Sequence, residues 1–176
     1  EIGVESVPGQ GSTFWFTVRC TEGKPVDQML GLHDEISASE IEPLKILVAE
    51  DNNVNQMLVR SLLEKAGHTV EFAWNGREAV HAMRSGEFDL VLMDVQMPEM
   101  DGPTATREIR KLSGLAGTVP IIALTANALS GQREEYLAAG MDDYVTKPIV
   151  PKTLFRAIAR NVQKVMSTQQ TDPLPV

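Results

Sequence analysis

From Leu44 onward, short apolar runs alternate with amphipathic stretches. Ile46-Leu47-Val48-Ala49, Leu90-Val91-Leu92-Met93 and Ile121-Ile122-Ala123-Leu124 are unbroken runs, too short for helices and matched to strands buried on both faces. Val70 and Phe72 alternate in a further short strand, and Tyr144-Val145 marks a last one. Between them the period becomes helical. Val54, Met57, Leu58, Leu62 and Ala66 recur at helical spacing before the stop at Gly67. Ala79, Val80 and Met83 mark a second helix, and a third runs from about Ala105 to Leu112. A fourth ends at Gly140, and Leu154, Phe155, Ile158, Val162 and Val165 stripe a fifth. Strands alternating with helices in this way predict an α/β fold: a doubly wound, five-stranded parallel sheet with helices on both faces. Upstream, Ile2, Val4, Phe14, Phe16 and Val18 flank Pro8-Gly9-Gln10-Gly11-Ser12, which predicts a β-hairpin over residues 1–20. Residues 21–43 mix Gly, Pro, Asp, Glu and Ser without a period and read as a linker. The domain proper is expected over 44–165, with a polar, frayed tail over 166–176.

Bulk properties narrow the classes. With 176 residues the chain holds one ordinary domain plus extensions. A net charge of −8 argues against a nucleic-acid partner, because phosphate contacts need clustered Lys and Arg. The single cysteine, Cys20, excludes an internal disulfide and makes a reducing compartment the default. No apolar run is long enough to span a bilayer, so no membrane contact is expected of this segment. The chain opens at Glu1, inside an apparent strand, which reads as a piece of something longer.

Polar residues collect where the strands end. Glu50 and Asp51 follow the first strand of the domain, Asp94 the third, Thr125 the fourth and Lys147 the last. In doubly wound sheets, ligands bind outside the carboxyl ends of the strands, so these groups are expected to converge on one site for a divalent cation and a phosphoryl group. Helix capping accounts for Asn52 or Asn53. It explains neither a lysine before Pro148 nor an aspartate before Val95-Gln96-Met97-Pro98.

Residues 44–165 resemble the receiver domain of two-component signalling proteins. The likeness rests on Glu50-Asp51-Asn52, on Met93-Asp94-Val95-Gln96-Met97-Pro98 with Asp101-Gly102, and on Thr125-Ala126. Gly140-Met141-Asp142-Asp143-Tyr144 and Lys147-Pro148-Ile149 complete it. Residues 1–18, through Val7-Pro8-Gly9-Gln10-Gly11-Ser12-Thr13-Phe14, resemble the closing strand pair of a histidine-kinase ATP-binding domain. Together they look like the end of a hybrid sensor histidine kinase. The resemblance implies a flavodoxin-like sheet of order 2-1-3-4-5.

It also implies a set of roles. Asp94 would accept a phosphoryl group from phosphohistidine. Three gathered carboxylates call for a hard cation with oxygen ligands. Mg²⁺ is the expected ion, with Mn²⁺ as the alternative, held by Asp51, Asp94, Glu50 (largely through water) and the backbone carbonyl of Gln96. Lys147 and Thr125 would contact phosphoryl oxygens, and Lys147-Pro148 is the expected cis peptide bond. Thr125 and Tyr144 would form the switch, and Gln96 and Asn127 would tune hydrolysis. The implied partners are the histidine kinase core and a histidine phosphotransfer domain. ATP would be bound only by the parent kinase. The expected location is cytoplasmic, in a parent that can be membrane-anchored.

Two other classes compete. A phosphate-independent interaction module would have no need of Glu50, Asp51, Asp94, Thr125 and Lys147 together. An Asp-x-Asp phosphatase would need a second acid that Asp94-Val95-Gln96 lacks. His33, His68 and His81 are expected at the surface. Met97, Met100 and Met141 are expected near the site's rim, and Cys20 is expected to be inert. The hairpin is expected to pack on the domain, pair in a homodimer or stay disordered.

Overall fold

The computed structural model describes residues 1–9, 11–18, 41–126 and 132–169. The chain divides into two units, Glu1–Glu35 and Ile36–Val176. In the first, strands β1 (Ile2–Val7) and β2 (Gly11–Phe16) pair antiparallel, with Ile2 opposite Phe16 and Val4 opposite Phe14. These four apolar side chains share one face of the hairpin and are exposed. On the other face Trp15 lies across Gly3, where a Cβ would stand 2.5 Å from the indole.

The second unit carries strands β3 (Lys45–Ala49), β4 (Thr69–Ala73), β5 (Leu90–Asp94), β6 (Ile121–Thr125) and β7 (Asp143–Thr146). They form one parallel sheet of order β4-β3-β5-β6-β7, the expected 2-1-3-4-5 arrangement. Helices α1 (Asn53–Lys65), α2 (Gly76–Ser85), α3 (Gly102–Arg110), α4 (Gln132–Ala138) and α5 (Pro151–Gln169) connect or follow the strands, with a 3₁₀ turn at Gly114–Gly117. The apolar runs are continuous because both faces are covered. Leu47, Val91, Met93, Ile121 and Ala123 pack with α2, α3 and α4 residues, including Ala79, Met83, Ile109 and Tyr136. Ile46, Val48, Leu90, Leu92, Ile122 and Leu124 pack on the other face, against Val59 and Leu63 of α1 and Leu154 and Ile158 of α5.

Register sets the heights of the strand ends. Ala49 is level with Met93, Asp94 with Leu124, and Thr125 with Thr146. Strand order reverses between β3 and β5, and the crevice there opens at their carboxyl ends.

Three expectations are corrected. In α1 the buried positions are Gln56, Val59 and Leu63, whereas Val54 is 74% exposed, Met57 63% and Leu58 44%. Apolar residues lie on two faces of this helix, and the periodic stripe read from the sequence is largely the outward one. The third helix starts earlier and ends sooner than expected. Asp101 caps it by accepting from the Thr104 backbone N–H at 2.7 Å, and Pro103 occupies the first turn. His68 is buried, at 3% exposure, with Nδ1 accepting from the Leu44 N–H at 3.2 Å. Burial holds its pKa below the usual histidine value. His81 is exposed as expected, while Cys20 and His33 lie outside the described residues.

One guanidinium ties the α3 side together. Arg110 Nε donates to the Gly140 carbonyl at 2.9 Å, and Nη1 donates to Gly117 and Val119 at 3.0 and 2.8 Å. Nη2 reaches Asp142 Oδ2 at 2.8 Å, and the same oxygen accepts from the Ile121 N–H. Among the described residues no helix is long and apolar enough to cross a membrane.

Candidate functional site

The loop from β3 into α1 is built around Glu50. Asn52 caps α1 by accepting from Val54 and Asn55 N–H at 2.9 and 3.2 Å. That cap turns Asn55 back toward the sheet, where its Nδ2 donates to Glu50 Oε1 at 2.8 Å. Gln56 Nε2 donates to the Glu50 carbonyl at 2.6 Å. The Glu50 side chain is therefore held fully buried, with Asp51 exposed beside it.

Asp94 ends β5 with its carboxylate nearly buried. Its Oδ1 accepts from the Gln96 backbone N–H at 3.2 Å, and its Oδ2 from Lys147 Nζ at 2.7 Å. Lys147 also donates to Glu50 Oε2 at 2.7 Å, so one ammonium bridges two acids from different strands. Lys147 is placed by its backbone N–H bond to the Thr125 carbonyl at 2.7 Å and precedes a cis bond to Pro148. Carboxylate oxygens of Glu50, Asp51 and Asp94 lie within 4.8 Å of one another.

The electrostatics follow from this geometry. Burial pushes the Asp94 pKa up, and the nearby Glu50 charge adds to that, against the opposing pull of Lys147 and the Gln96 N–H. For Lys147, burial works against the charged form, but its bonds to Asp94 and Glu50 prevail and hold its pKa above the usual lysine value. The two directions are compatible: the ammonium has two anions to itself, while each anion shares one cation and faces the other anion.

A cavity of about 420 Å³ opens beside Asp94 and Lys147, lined among others by Gln96, Asp101, Thr125 and Tyr136. Thr125 is buried, and its Oγ1 lies 2.9 Å from the Tyr136 hydroxyl. Tyr144 is half-buried and packs against the α2–α3–α4 side of the core. The Gln96 side chain is exposed and Pro148 is exposed. Met97 and Met100 are part-buried against the core, and Met141 belongs to the core itself. Asn127 lies outside the described residues.

Residues 46–159 match the model of the response regulator receiver domain. The chain belongs to the receiver family. Hybrid signal transduction histidine kinase I from Dictyostelium discoideum is 41% identical over 143 residues, which cover 78% of this chain and 8% of that protein. Aerobic respiration control sensor protein ArcB from Escherichia coli is 37% identical over 174 residues, covering 98% of this chain and 21% of that protein. The receiver domain of a sensor histidine kinase from Pseudomonas aeruginosa, whose crystal structure holds a magnesium ion in the active-site cleft, is 43% identical. It covers 69% of this chain and 98% of its own, with a TM-score of 0.64. This is a receiver of the kind hybrid sensor kinases carry, and it spans 8 to 21% of the length of the two kinases above.

The receiver fold thus brings together Glu50, Asp51, Asp94, Thr125 and Lys147, all singled out from the sequence. Three contributors carried no such signal. Asn55 and Gln56 read as ordinary polar positions of α1, although their spacing of five and six residues after Glu50 matches one turn of return. Tyr136 stands eleven residues beyond Thr125, and no local pattern links the two.

Proposed function

We propose that Asp94 accepts a phosphoryl group from a phosphohistidine and passes it on, or loses it to water, within a phosphorelay. A carboxylate oxygen of Asp94 forms a bond to phosphorus as the phosphorus–nitrogen bond of the donor breaks. The electron pair of that bond stays on the imidazole nitrogen. Such transfer depends on positioning and charge stabilisation rather than on elaborate covalent chemistry. The observation that carries the reading is the Lys147 ammonium, set 2.7 Å from both Asp94 and Glu50 at the carboxyl ends of the sheet. It is a cation poised to exchange carboxylate partners for phosphoryl oxygens.

The acidic cluster suits a divalent ion: three carboxylates with oxygens within 4.8 Å of one another form a hard, all-oxygen donor set. Asp51, Asp94 and Glu50 would hold Mg²⁺ or Mn²⁺ with the Gln96 carbonyl. The bound ion would offset the charge that accumulates on the phosphoryl oxygens. Thr125 offers a hydroxyl to the phosphoryl group, and Thr125 and Tyr144 together form the switch. Gln96, whose side chain is exposed, would influence attack by water. The parent would be a hybrid histidine kinase that alone binds ATP, with residues 1–20 closing its ATP-binding domain. Its kinase core and a histidine phosphotransfer domain would be donor and recipient.

Incubation with acetyl phosphate and Mg²⁺, followed by intact mass, tests this. One added phosphoryl group, lost in Asp94→Asn and on chelation, is expected. No adduct from acetyl phosphate or from a phosphorylated histidine donor would overturn the reading.

A further inference from the structure

Two side chains in the first turn of α1 reach back to Glu50 and hold different parts of it. Gln56 Nε2 donates to its main-chain carbonyl at 2.6 Å, and Asn55 Nδ2 to carboxylate Oε1 at 2.8 Å. The same Oε1 accepts from the Asn52 N–H at a longer 3.3 Å. The other oxygen, Oε2, accepts from Lys147 Nζ at 2.7 Å, and that ammonium donates to Asp94 Oδ2 at 2.7 Å as well. Oε2 therefore faces Asp94 across Lys147, while Oε1 is turned toward α1. Glu50 is fully buried, so these donors rather than bulk water fix the rotation of its carboxylate.

A fixed carboxylate matters because divalent ions differ in how many oxygens they take. Mg²⁺ demands a strict octahedron and keeps several of its waters, whereas Ca²⁺ gathers more oxygens in a looser shell and accepts both oxygens of one carboxylate. With Oε1 held by an amide, Glu50 has one oxygen to turn toward an ion beside Asp51 and Asp94. Bringing the second oxygen means breaking the 2.8 Å bond to Asn55. Mg²⁺ has no use for that second oxygen. The contact therefore penalises Ca²⁺ and leaves Mg²⁺ unaffected.

We propose that Asn55 is a specificity-determining residue for the choice of metal ion: it restricts Glu50 to one oxygen and so favours Mg²⁺ over Ca²⁺. This rests on the reading of the acidic cluster as a divalent-ion site given above. The helix cap builds the device, because Asn52 accepts from the Asn55 N–H at 3.2 Å and fixes the turn from which the amide projects. Asn55 is only half-buried, so a side chain without the amide is tolerated there.

The test titrates Mg²⁺ and Ca²⁺ separately into the full chain, with no phosphoryl donor present, and reads both dissociation constants by calorimetry. Asn55→Ala is expected to raise the affinity for Ca²⁺ relative to Mg²⁺ by about three- to tenfold, the size of one hydrogen bond. General loosening of the loop would weaken both ions alike, so the ratio is the decisive quantity. Gln56→Met frees the Glu50 main chain but not its carboxylate, and should leave the ratio within about twofold of the parent's. Asn55→Leu, also without a donor, repeats the measurement should urea midpoints in chelator show the alanine chain unfolded. A parental ratio in the Asn55 variants overturns the proposal, and so does an equal rise in Gln56→Met. If the parent binds neither ion, or binds both as well after Asp51→Asn, the metal reading falls and takes this one with it. Binding that is lost in Asp51→Asn, beside an unmoved ratio in Asn55→Ala, removes this inference alone.

Discussion

Gly102 stands against the backbone of the acceptor residue, which makes Gly102→Ala a sharp probe of the site. A Cβ there would lie 2.2 Å from the Asp94 carbonyl oxygen, 3.1 Å from its carbonyl carbon and 3.0 Å from Met93 Cγ. Ordinary contact begins near 3.4 Å, so about 1 Å of separation must be found. The obstacle is main chain, which cannot rotate aside, and the Gly102 N–H is tied to the Val95 carbonyl at 3.0 Å. Overpacking of this kind costs about 1–3 kcal/mol, here near the upper end. The better helix propensity of alanine at the first position of α3 offsets less than about 1 kcal/mol. A net loss of about 2 kcal/mol follows, or roughly 8 °C in Tm for a domain of this size. The catalytic effect is larger, because a misplacement of about 1 Å in a reacting group can cost on the order of 100-fold in rate. Urea unfolding gives the first quantity, and the time course of acetyl phosphate labelling, read by intact mass, gives the second. Gly67→Ala is the control: its φ of +88° strains the alanine, but no atom lies within 4 Å. It should lose about 1 kcal/mol and label at the normal rate. Stability within about 0.5 kcal/mol of the parent together with normal labelling in Gly102→Ala would refute the steric argument.

Other perturbations test other parts. His68 binds its proton less readily folded than unfolded, so between its lowered folded pKa and the ordinary value of 6.5 the unfolded chain holds more protons. Stability therefore rises with pH through that window and falls on acidification, by at most about 1.4 kcal/mol per pH unit. Urea midpoints from pH 7.5 to 5.5 should show a slope that His68→Gln flattens, and parallel curves would exclude His68 as the cause. Lys147→Met strips the shared cation from Glu50 and Asp94 and should cost about 2–4 kcal/mol in chelator, with part of the loss recovered in Mg²⁺. Equal midpoints for variant and parent in chelator would show that the ammonium is dispensable. Arg110→Met takes the guanidinium from three carbonyls, leaves Asp142 with the Ile121 N–H but no cation, and should cost about 2–4 kcal/mol in thermal unfolding. A Tm within 1 or 2 °C, on the order of 0.3 kcal/mol, would show that water replaces it.

Much of this was legible before folding because a parallel sheet gathers strand ends by construction. A carboxylate after one apolar run and a lysine after another, 97 residues apart for Glu50 and Lys147, come to the same edge of one sheet even with two strands between them. Facing was harder to read. Helix α1 is apolar on two sides, and periodicity counts Val54, Met57 and Leu58 as readily as Val59 and Leu63. Only the sheet decides which stripe is covered. His68 was misjudged for a related reason: its burial depends on Leu44 and Phe155, from distant segments, rather than on its polar neighbours in sequence. Tyr136 escaped notice because its partner lies across a loop, and the more conspicuous Tyr144 sits on a strand that matches the family pattern.

The register of the sheet makes the cleft a gauge of length. Glu50 follows Ala49, which is level with Met93, so Glu50 and Asp94 share the lowest step. Thr125 stands one residue higher, and Lys147, beyond Thr146, one higher again. At about 3.3 Å per residue these treads span roughly 7 Å, and only the four-carbon stem of lysine reaches back down to both acids. A flat ligand resting on Asp94 would leave the upper treads untouched. A tetrahedral group standing upright on that carboxylate extends toward all three levels, so the stagger of these four strands selects for height as well as for charge.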